Sequence, residues 1–135
     1  MNKAYKMKGN SLLVKALWRD KKDCKYIIED VDGNIIFKSE KLQGSANLAC
    51  FLGLAHSVSL IQEEGYDPWI YCNNQTALTW IKSLNVKAAS IDSYTDTYLK
   101  DSIEYIKEVE FKYECLHYSW NKKTDYDRRF NIMDK

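Results

Sequence analysis

The chain has 135 residues, with 20 basic and 19 acidic side chains and a formal net charge of +1. This length suits one compact domain that can bury a core of its own. The near balance of charge excludes a chain-wide attraction to nucleic acid or to a membrane, so any electrostatic contact must come from a local patch. Hydrophobic residues make up 45% of the chain and proline occurs once, which argues against disorder.

The cysteines and the first residues indicate the compartment. The four cysteines contain no CxxC pair, so they give neither a zinc signal nor a compact disulfide framework. Residues 1–10 lack the apolar segment of a signal peptide, and no apolar run approaches the roughly 20 residues that span a bilayer. We therefore expect a soluble, cytoplasmic protein with no membrane partner, with residues 1–10 as a flexible basic lead-in and residues 11–135 as one domain.

Three strands are predicted in the first third of the chain. Residues 11–18 are rich in apolar side chains, and a polar turn separates them from residues 24–31 and 34–39. Asp32 and Gly33 form a strong hairpin signal between the second and third of these segments. The sequence therefore predicts an antiparallel meander of three consecutive strands.

The rest of the chain alternates between helical and strand patterns. Apolar residues recur with the helical period from Ala46 to about Glu64, with Ser45 as a plausible N-cap and Gly65 as the end. The predicted elements that follow are a buried strand at residues 69–72, helices at about 75–83 and 93–108, and a last strand at 109–118. This order predicts an α/β (mixed α+β) fold in which helices pack on a mixed five-stranded sheet.

Three stretches of this sequence resemble ribonuclease H, in particular its compact bacterial type. DGNIIFKSEKLQGSANLACFLGLAHSVSLI is similar to the third strand and first helix of that family, and PWIYCNNQTALTWIK is similar to the fourth strand and the following turn. WNKKTDYDRRF resembles the closing segment of the family. The resemblance implies a ribonuclease H-like fold over nearly the whole chain and a function connected with RNA–DNA hybrids.

The resemblance also implies four positions for a two-metal site, which in this family hydrolyses the RNA strand of the hybrid. Two Mg²⁺ ions require hard oxygen ligands, mostly carboxylates. The four equivalent positions of this chain are Lys15 or a neighbouring residue, Cys50, Asn73 and Asp125. Only Asp125 is an acid, and Lys15 adds a cation. The resemblance therefore implies a degenerate, catalytically silent domain with no metal cofactor, whose four equivalent positions meet in one pocket.

Three amides match family positions that contact the nucleic acid. Asn47, Asn74 and Gln75 are implied to hydrogen-bond a bound RNA–DNA hybrid or another nucleic acid, which needs no metal. Asn73 and Asn74 are equally suited to capping the next helix. Lys15 is either a phosphate contact or an ordinary solvated lysine.

Further alternatives stay open. Cys50 is expected to pack as an inert thiol, although a redox or soft-metal role with Cys72 is an alternative. The domain could still be an active, Mg²⁺-dependent hydrolase that uses substituted acids. A further alternative is a protein-interaction domain that uses the cleft where the family has its active site. The acids considered for such a hydrolase are Asp20, Glu29, Asp30 and Asp127, together with Asp125.

Overall fold

The computed structural model of the chain describes residues 7–88 and 91–118. Five strands and three helices lie within these residues. In chain order they are β1 (Leu12–Asp20), β2 (Asp23–Glu29), β3 (Ile35–Lys38), α1 (Ala46–Glu64), β4 (Trp69–Cys72), α2 (Gln75–Ser83), α3 (Ser93–Glu108) and β5 (Glu114–His117).

The strands form one mixed sheet in the order β3-β2-β1-β4-β5. β1 pairs with β2, and β2 with β3, in antiparallel orientation, whereas β4 runs parallel to both β1 and β5. The expected meander and the expected mixed five-stranded sheet are therefore confirmed. β1 lies at the centre of the sheet, and its first six residues are buried.

One face of the sheet packs against the helices. α1 contacts β1, β2 and β4, while α2 and α3 pack against α1. Side chains that alternate along the strands, such as Val14, Ile28 and Cys72, form one core with the buried face of α1. Since 11 of the 19 residues of α1 are buried, this helix is the centre of the core and not a surface helix.

Local signals in the sequence place the helix ends. Ser45, Asn74 and Asp92 are the N-caps of α1, α2 and α3, and each side chain accepts a hydrogen bond from a backbone N–H in the first turn. Gly65 ends α1 in the left-handed conformation, with φ of 79°. The predicted bounds of all three helices agree with the structure.

The last strand is shorter than predicted. β5 begins at Glu114, whereas the alternating pattern predicts a strand from Val109. A strand needs a partner, and β4 offers only the four residues Trp69–Cys72 to pair with Glu114–His117. In the segment before β5, the rings of Phe111 and Tyr113 contact each other edge to face, with centroids 6.1 Å apart. Within the described part of the chain, no helix combines the length and the apolar character needed to cross a membrane.

Candidate nucleic-acid interface

The site predicted from the sequence lies where β4 ends and α2 begins. β4 ends at Cys72, and Asn73 follows as a half-buried residue. The Oδ1 atom of Asn74 accepts a hydrogen bond of 2.8 Å from the backbone N–H of Ala77, which caps α2. Of the two uses considered for Asn74, capping is therefore present in the structure, and the direction of its side chain is fixed by that bond.

A second hydrogen bond ties this junction to α1. The Asn74 Nδ2 atom donates to Oδ1 of Asn47 over 2.8 Å, although 27 positions separate the two residues in the chain. Asn47 lies in the first turn of α1 and Gln75 is the exposed first residue of α2. The structure thus brings together the three amides that the resemblance singled out, at the adjacent N-terminal ends of two helices.

Cys50 contacts Cys72 below this junction. The hydrogen bond from the Cys50 thiol is the main cause that lowers the pKa of Cys72; burial acts in the opposite direction, and the backbone N–H groups of Asn74 and Asn73 add to the lowering. Cys50 is 1% exposed and Cys72 is fully enclosed. The Cys72 thiol therefore meets α1 on the face of the sheet that the helices cover.

Lys15 extends from the other face of the sheet. Its neighbour Val14 pairs with Ile28 and Cys72 and belongs to the core under α1. Because successive side chains of a strand alternate, the side chain of Lys15 points away from α1. By this register Lys15 and Cys50 are on opposite sides of the sheet, which contradicts the prediction that one pocket contains both. Val14 is on the face of β1 that the helices cover, as are Leu12 and Ala16.

Lys15 is neither solvated nor poised for a phosphate, because it forms a buried ion pair. Its Nζ atom lies 3.5 Å from Oε1 of Glu29, and the two side chains are 3% and 2% exposed. The register explains the contact: Lys15 pairs with Ile27, and Glu29 pairs with Leu13, so the two charged residues are diagonal neighbours on one face. Glu29, considered from the sequence as a substitute metal ligand, is thus the counter-ion of Lys15.

Two other acids considered as substitutes, Asp20 and Asp30, form hydrogen bonds within turns. Asp20 accepts the backbone N–H of Lys22 over 2.8 Å in the β1–β2 turn. Asp30 lies at the opposite end of β2, where it closes the β2–β3 hairpin. Burial acts to raise the pKa of Asp30, but hydrogen bonds from the hairpin, chiefly those of Asn34, lower it overall. Both carboxylates therefore stabilise turns by accepting backbone hydrogen bonds.

Two of the predicted acids lie outside the described residues, namely Asp125 and Asp127. Across residues 7–88 and 91–118, no group of three or more histidine, cysteine, aspartate or glutamate side chains is arranged to hold a metal ion. What sequence reasoning missed is the direct bond between Asn47 and Asn74. The sequence did contain a signal for it, because Asn47 and Asn74 each lie within two positions of a predicted helix start.

The strand order, the meander and the two parallel strands define a ribonuclease H-like fold. Solved structures with a similar chain path include the N-terminal RNase H domain of a Mycobacterium tuberculosis protein, at 13% identity and a TM-score of 0.48, with 93% of this chain and 95% of that chain covered. RNase H1 from the halophilic archaeon Halobacterium salinarum has 11% identity and a TM-score of 0.49, with coverage of 88% and 89%.

A third structure, an RNase H1 isolated from compost by a metagenomic approach, has 12% identity and a TM-score of 0.47, with 93% of each chain covered. No protein-family model matches the sequence. No curated protein matches it either. At these identities the likeness concerns the chain path, and the chemistry of the site has to be argued from the residues of this chain.

Proposed function

We propose that the chain is a ribonuclease H-like module that binds nucleic acid where α1 and α2 begin, and that it does not hydrolyse the bound strand. The observation that carries the proposal is the hydrogen bond of 2.8 Å between Asn74 and Asn47, beside the exposed Gln75. This bond holds amide groups from two elements in one fixed arrangement at the surface.

The chemistry of these side chains suits the wide minor groove of a hybrid. Amide groups both donate and accept hydrogen bonds, which matches the base edges and 2′-hydroxyl groups displayed there. The Oδ1 atom of Asn47 is engaged by Asn74, so the two N–H donors of Asn47 are the groups that a ligand would meet. The adjacent starts of α1 and α2 add the partial positive charge of two helix N-termini, which favours a nearby phosphate.

The proposal of catalytic silence rests on charge. Two dications beside a phosphate need several fixed carboxylates. Cys50 contributes a thiol and Asn73 an amide at the positions that the resemblance assigns to acids. The one buried carboxylate among the described residues, that of Glu29, already faces the Lys15 ammonium at 3.5 Å. A local excess of negative charge, which a two-metal site requires, is therefore missing from this part of the described chain.

Binding is tested by fluorescence anisotropy with labelled RNA–DNA hybrid, DNA duplex and single strands, each with Mg²⁺ and with EDTA. We expect the hybrid to bind best and its affinity to be unchanged by EDTA. Gln75→Ala should weaken hybrid binding by roughly fivefold, since one hydrogen bond contributes about 1 kcal/mol. Thr79→Ala, on an exposed position one turn further along α2, is the matched control. Equal binding by both variants would contradict the proposed interface.

Hydrolysis is tested with the same hybrid at saturating protein and either Mg²⁺ or Mn²⁺. We expect no cleavage above background. Metal-dependent cleavage that Asp125→Asn abolishes would refute the silent module and support the hydrolase with substituted acids. Failure to bind any of the nucleic acids would refute the binding module and support the protein-interaction alternative.

A further inference from the structure

A cavity lies between α1 and α3, and none of its lining residues belongs to the junction of β4 and α2. Its volume is about 420 Å³, within the range of small-molecule sites. Tyr94, Tyr98 and Tyr105 line it from α3, and His56 lines it from α1. Because the tyrosines are spaced at four and seven positions, they fall on one face of α3, directed at α1.

Hydrogen bonds hold most of these aromatic walls in place. The hydroxyl of Tyr26, from the core, bonds both Nδ1 of His56, at 2.7 Å, and the hydroxyl of Tyr98. The Tyr105 hydroxyl donates to Oε1 of Gln62 over 2.8 Å. A wall that is fixed before binding loses little conformational entropy when a ligand enters. The hydroxyl groups of Tyr98 and Tyr105 are thus bonded within the protein.

Tyr94 supplies the outer wall. Its ring meets that of Tyr98 edge to face, with centroids 6.1 Å apart and planes at 89°, and the residue is 50% exposed. Both residues line the cavity, together with Tyr105. An arrangement of several aromatic rings around one space is the geometry by which proteins bind ammonium groups, since the π faces carry partial negative charge.

The charge of the cavity has one sign. Among the described residues that line it, Asp101 is the charged one at pH 7, because burial lowers the pKa of His56 from its usual value of 6.5. Glu63, at the surface nearby, acts on both His56 and Tyr105 electrostatically. A cation entering the cavity therefore meets a carboxylate and electron-rich rings, whereas an anion would meet repulsion.

We propose that this cavity binds a small organic ammonium compound, with its cationic head between the tyrosine rings and the Asp101 carboxylate. The proposal is independent of nucleic-acid binding, because no residue of the cavity belongs to the Asn47–Asn74 junction. The volume and the partly open outer wall suit a free small molecule that carries a methylated or primary amine.

The test compares choline with 3,3-dimethylbutan-1-ol, which has the same shape without the charge. Titration of the full chain, followed by two-dimensional NMR, should give saturable shifts at Tyr94, Tyr98 and Asp101 with choline. We expect the neutral compound to bind at least about fivefold more weakly, as cation–π and carboxylate contacts are lost. Equal affinity for both compounds would overturn the proposal and define a simple apolar cavity.

Variants locate the cation. Asp101→Asn and Tyr94→Leu should each weaken choline binding by about two- to fivefold, the range for exposed cation–π and ionic contacts. Asp96→Asn is the matched control, because Asp96 is on the same helix but pairs with Lys100 at 2.9 Å. Asp101 and Tyr94 are both exposed, so we expect both variants to keep the fold, which circular dichroism checks. A loss of affinity in Asp96→Asn equal to that in Asp101→Asn would overturn the assignment.

Discussion

At the scale of single residues, the ion pair of Lys15 and Glu29 departs most from what the sequence suggests. A lysine within an apolar strand is ordinarily solvated at its tip, but β1 is the central strand and both partners are almost completely enclosed. Two buried charges cost desolvation free energy that their attraction only partly offsets. The pair therefore makes each partner dependent on the other.

This dependence predicts the effect of removing one charge. Lys15→Met should lower the free energy of unfolding by about 3–5 kcal/mol, because the Glu29 carboxylate is left buried without its counter-ion. The double variant Lys15→Met with Glu29→Gln should recover much of that loss. Urea unfolding monitored by tryptophan fluorescence measures both. Additive losses in the double variant would show that the two charges do not depend on each other.

The burial of His56 predicts that the free energy of unfolding depends on pH. Burial lowers its pKa in the folded chain below 6.5, with Glu63 acting weakly in the opposite direction. The unfolded chain therefore binds a proton more readily than the folded chain, so this contribution to stability is fully present above about pH 6.5. It decreases as the pH falls from 6.5 towards the folded pKa.

The measurement is the free energy of unfolding between pH 7.5 and 5, for the unmodified chain and for His56→Gln. Glutamine keeps a hydrogen-bonding group for the Tyr26 hydroxyl but does not titrate. The variant should lose less stability on acidification than the parent. Identical slopes for the two proteins would contradict the neutral, buried histidine.

At the scale of elements, α1 lies so close to the sheet at Gly53 that a side chain larger than hydrogen would collide with β1 and β2. A Cβ atom on Gly53 would lie 2.5 Å from Cγ1 of Val14 and 3.1 Å from the Tyr26 ring. This glycine is therefore a contact requirement of the α1–β1 packing. It also explains why a helix tolerates glycine in its middle, where the residue costs about 1 kcal/mol relative to alanine.

Gly53→Ala tests the close approach. The change should destabilise the protein by about 1–3 kcal/mol through overpacking, despite its gain in helix propensity. Combining it with Val14→Ala makes room for the new methyl group, so the double variant should be more stable than the sum of the two single changes predicts. Thermal unfolding provides the comparison. A stabilising effect of Gly53→Ala alone would show that α1 lies further from β1.

At the scale of the whole molecule, the sheet and its helices enclose the thiols. Cys24, Cys50 and Cys72 are each at most 1% exposed. Burial is the main cause that raises the pKa of Cys24 to about 12, and burial likewise raises the pKa of Cys115 to about 12. Reaction of Cys24, Cys50 and Cys72 with an external reagent therefore requires that the sheet and the helices separate.

This burial predicts that the thiols are labelled slowly at pH 8. A pKa of about 12 lowers the thiolate fraction of Cys24 and Cys115 by about a thousandfold relative to a free cysteine. We expect labelling of Cys24, Cys50 and Cys72 to occur at the rate of global unfolding, as mass spectrometry of denaturant-dependent labelling can show. Fast modification of Cys72 in the native chain would indicate instead that the Cys50–Cys72 pair is accessible to redox chemistry.

The sequence by itself determined the elements whose signals are local. The helical period, the N-caps Ser45, Asn74 and Asp92 and the terminal Gly65 act within a few residues, so the bounds of three helices could be read directly. The hairpin at Gly33 is equally local, because its φ of 86° is a conformation that glycine adopts without strain. The substitutions Cys50 and Asn73 at positions that the resemblance assigns to acids were also visible in the sequence.

Only the tertiary structure decided what depends on register and partners. The length of β5 is set by the four residues that β4 offers, so the alternation from Val109 onward could not fix where pairing starts. The face to which Lys15 points, and its contact with Glu29, follow from the pairing of β1 with β2 and β4. A period of two in a sequence separates the two faces of a strand but cannot say which face the helices cover, since that choice is made by long-range packing.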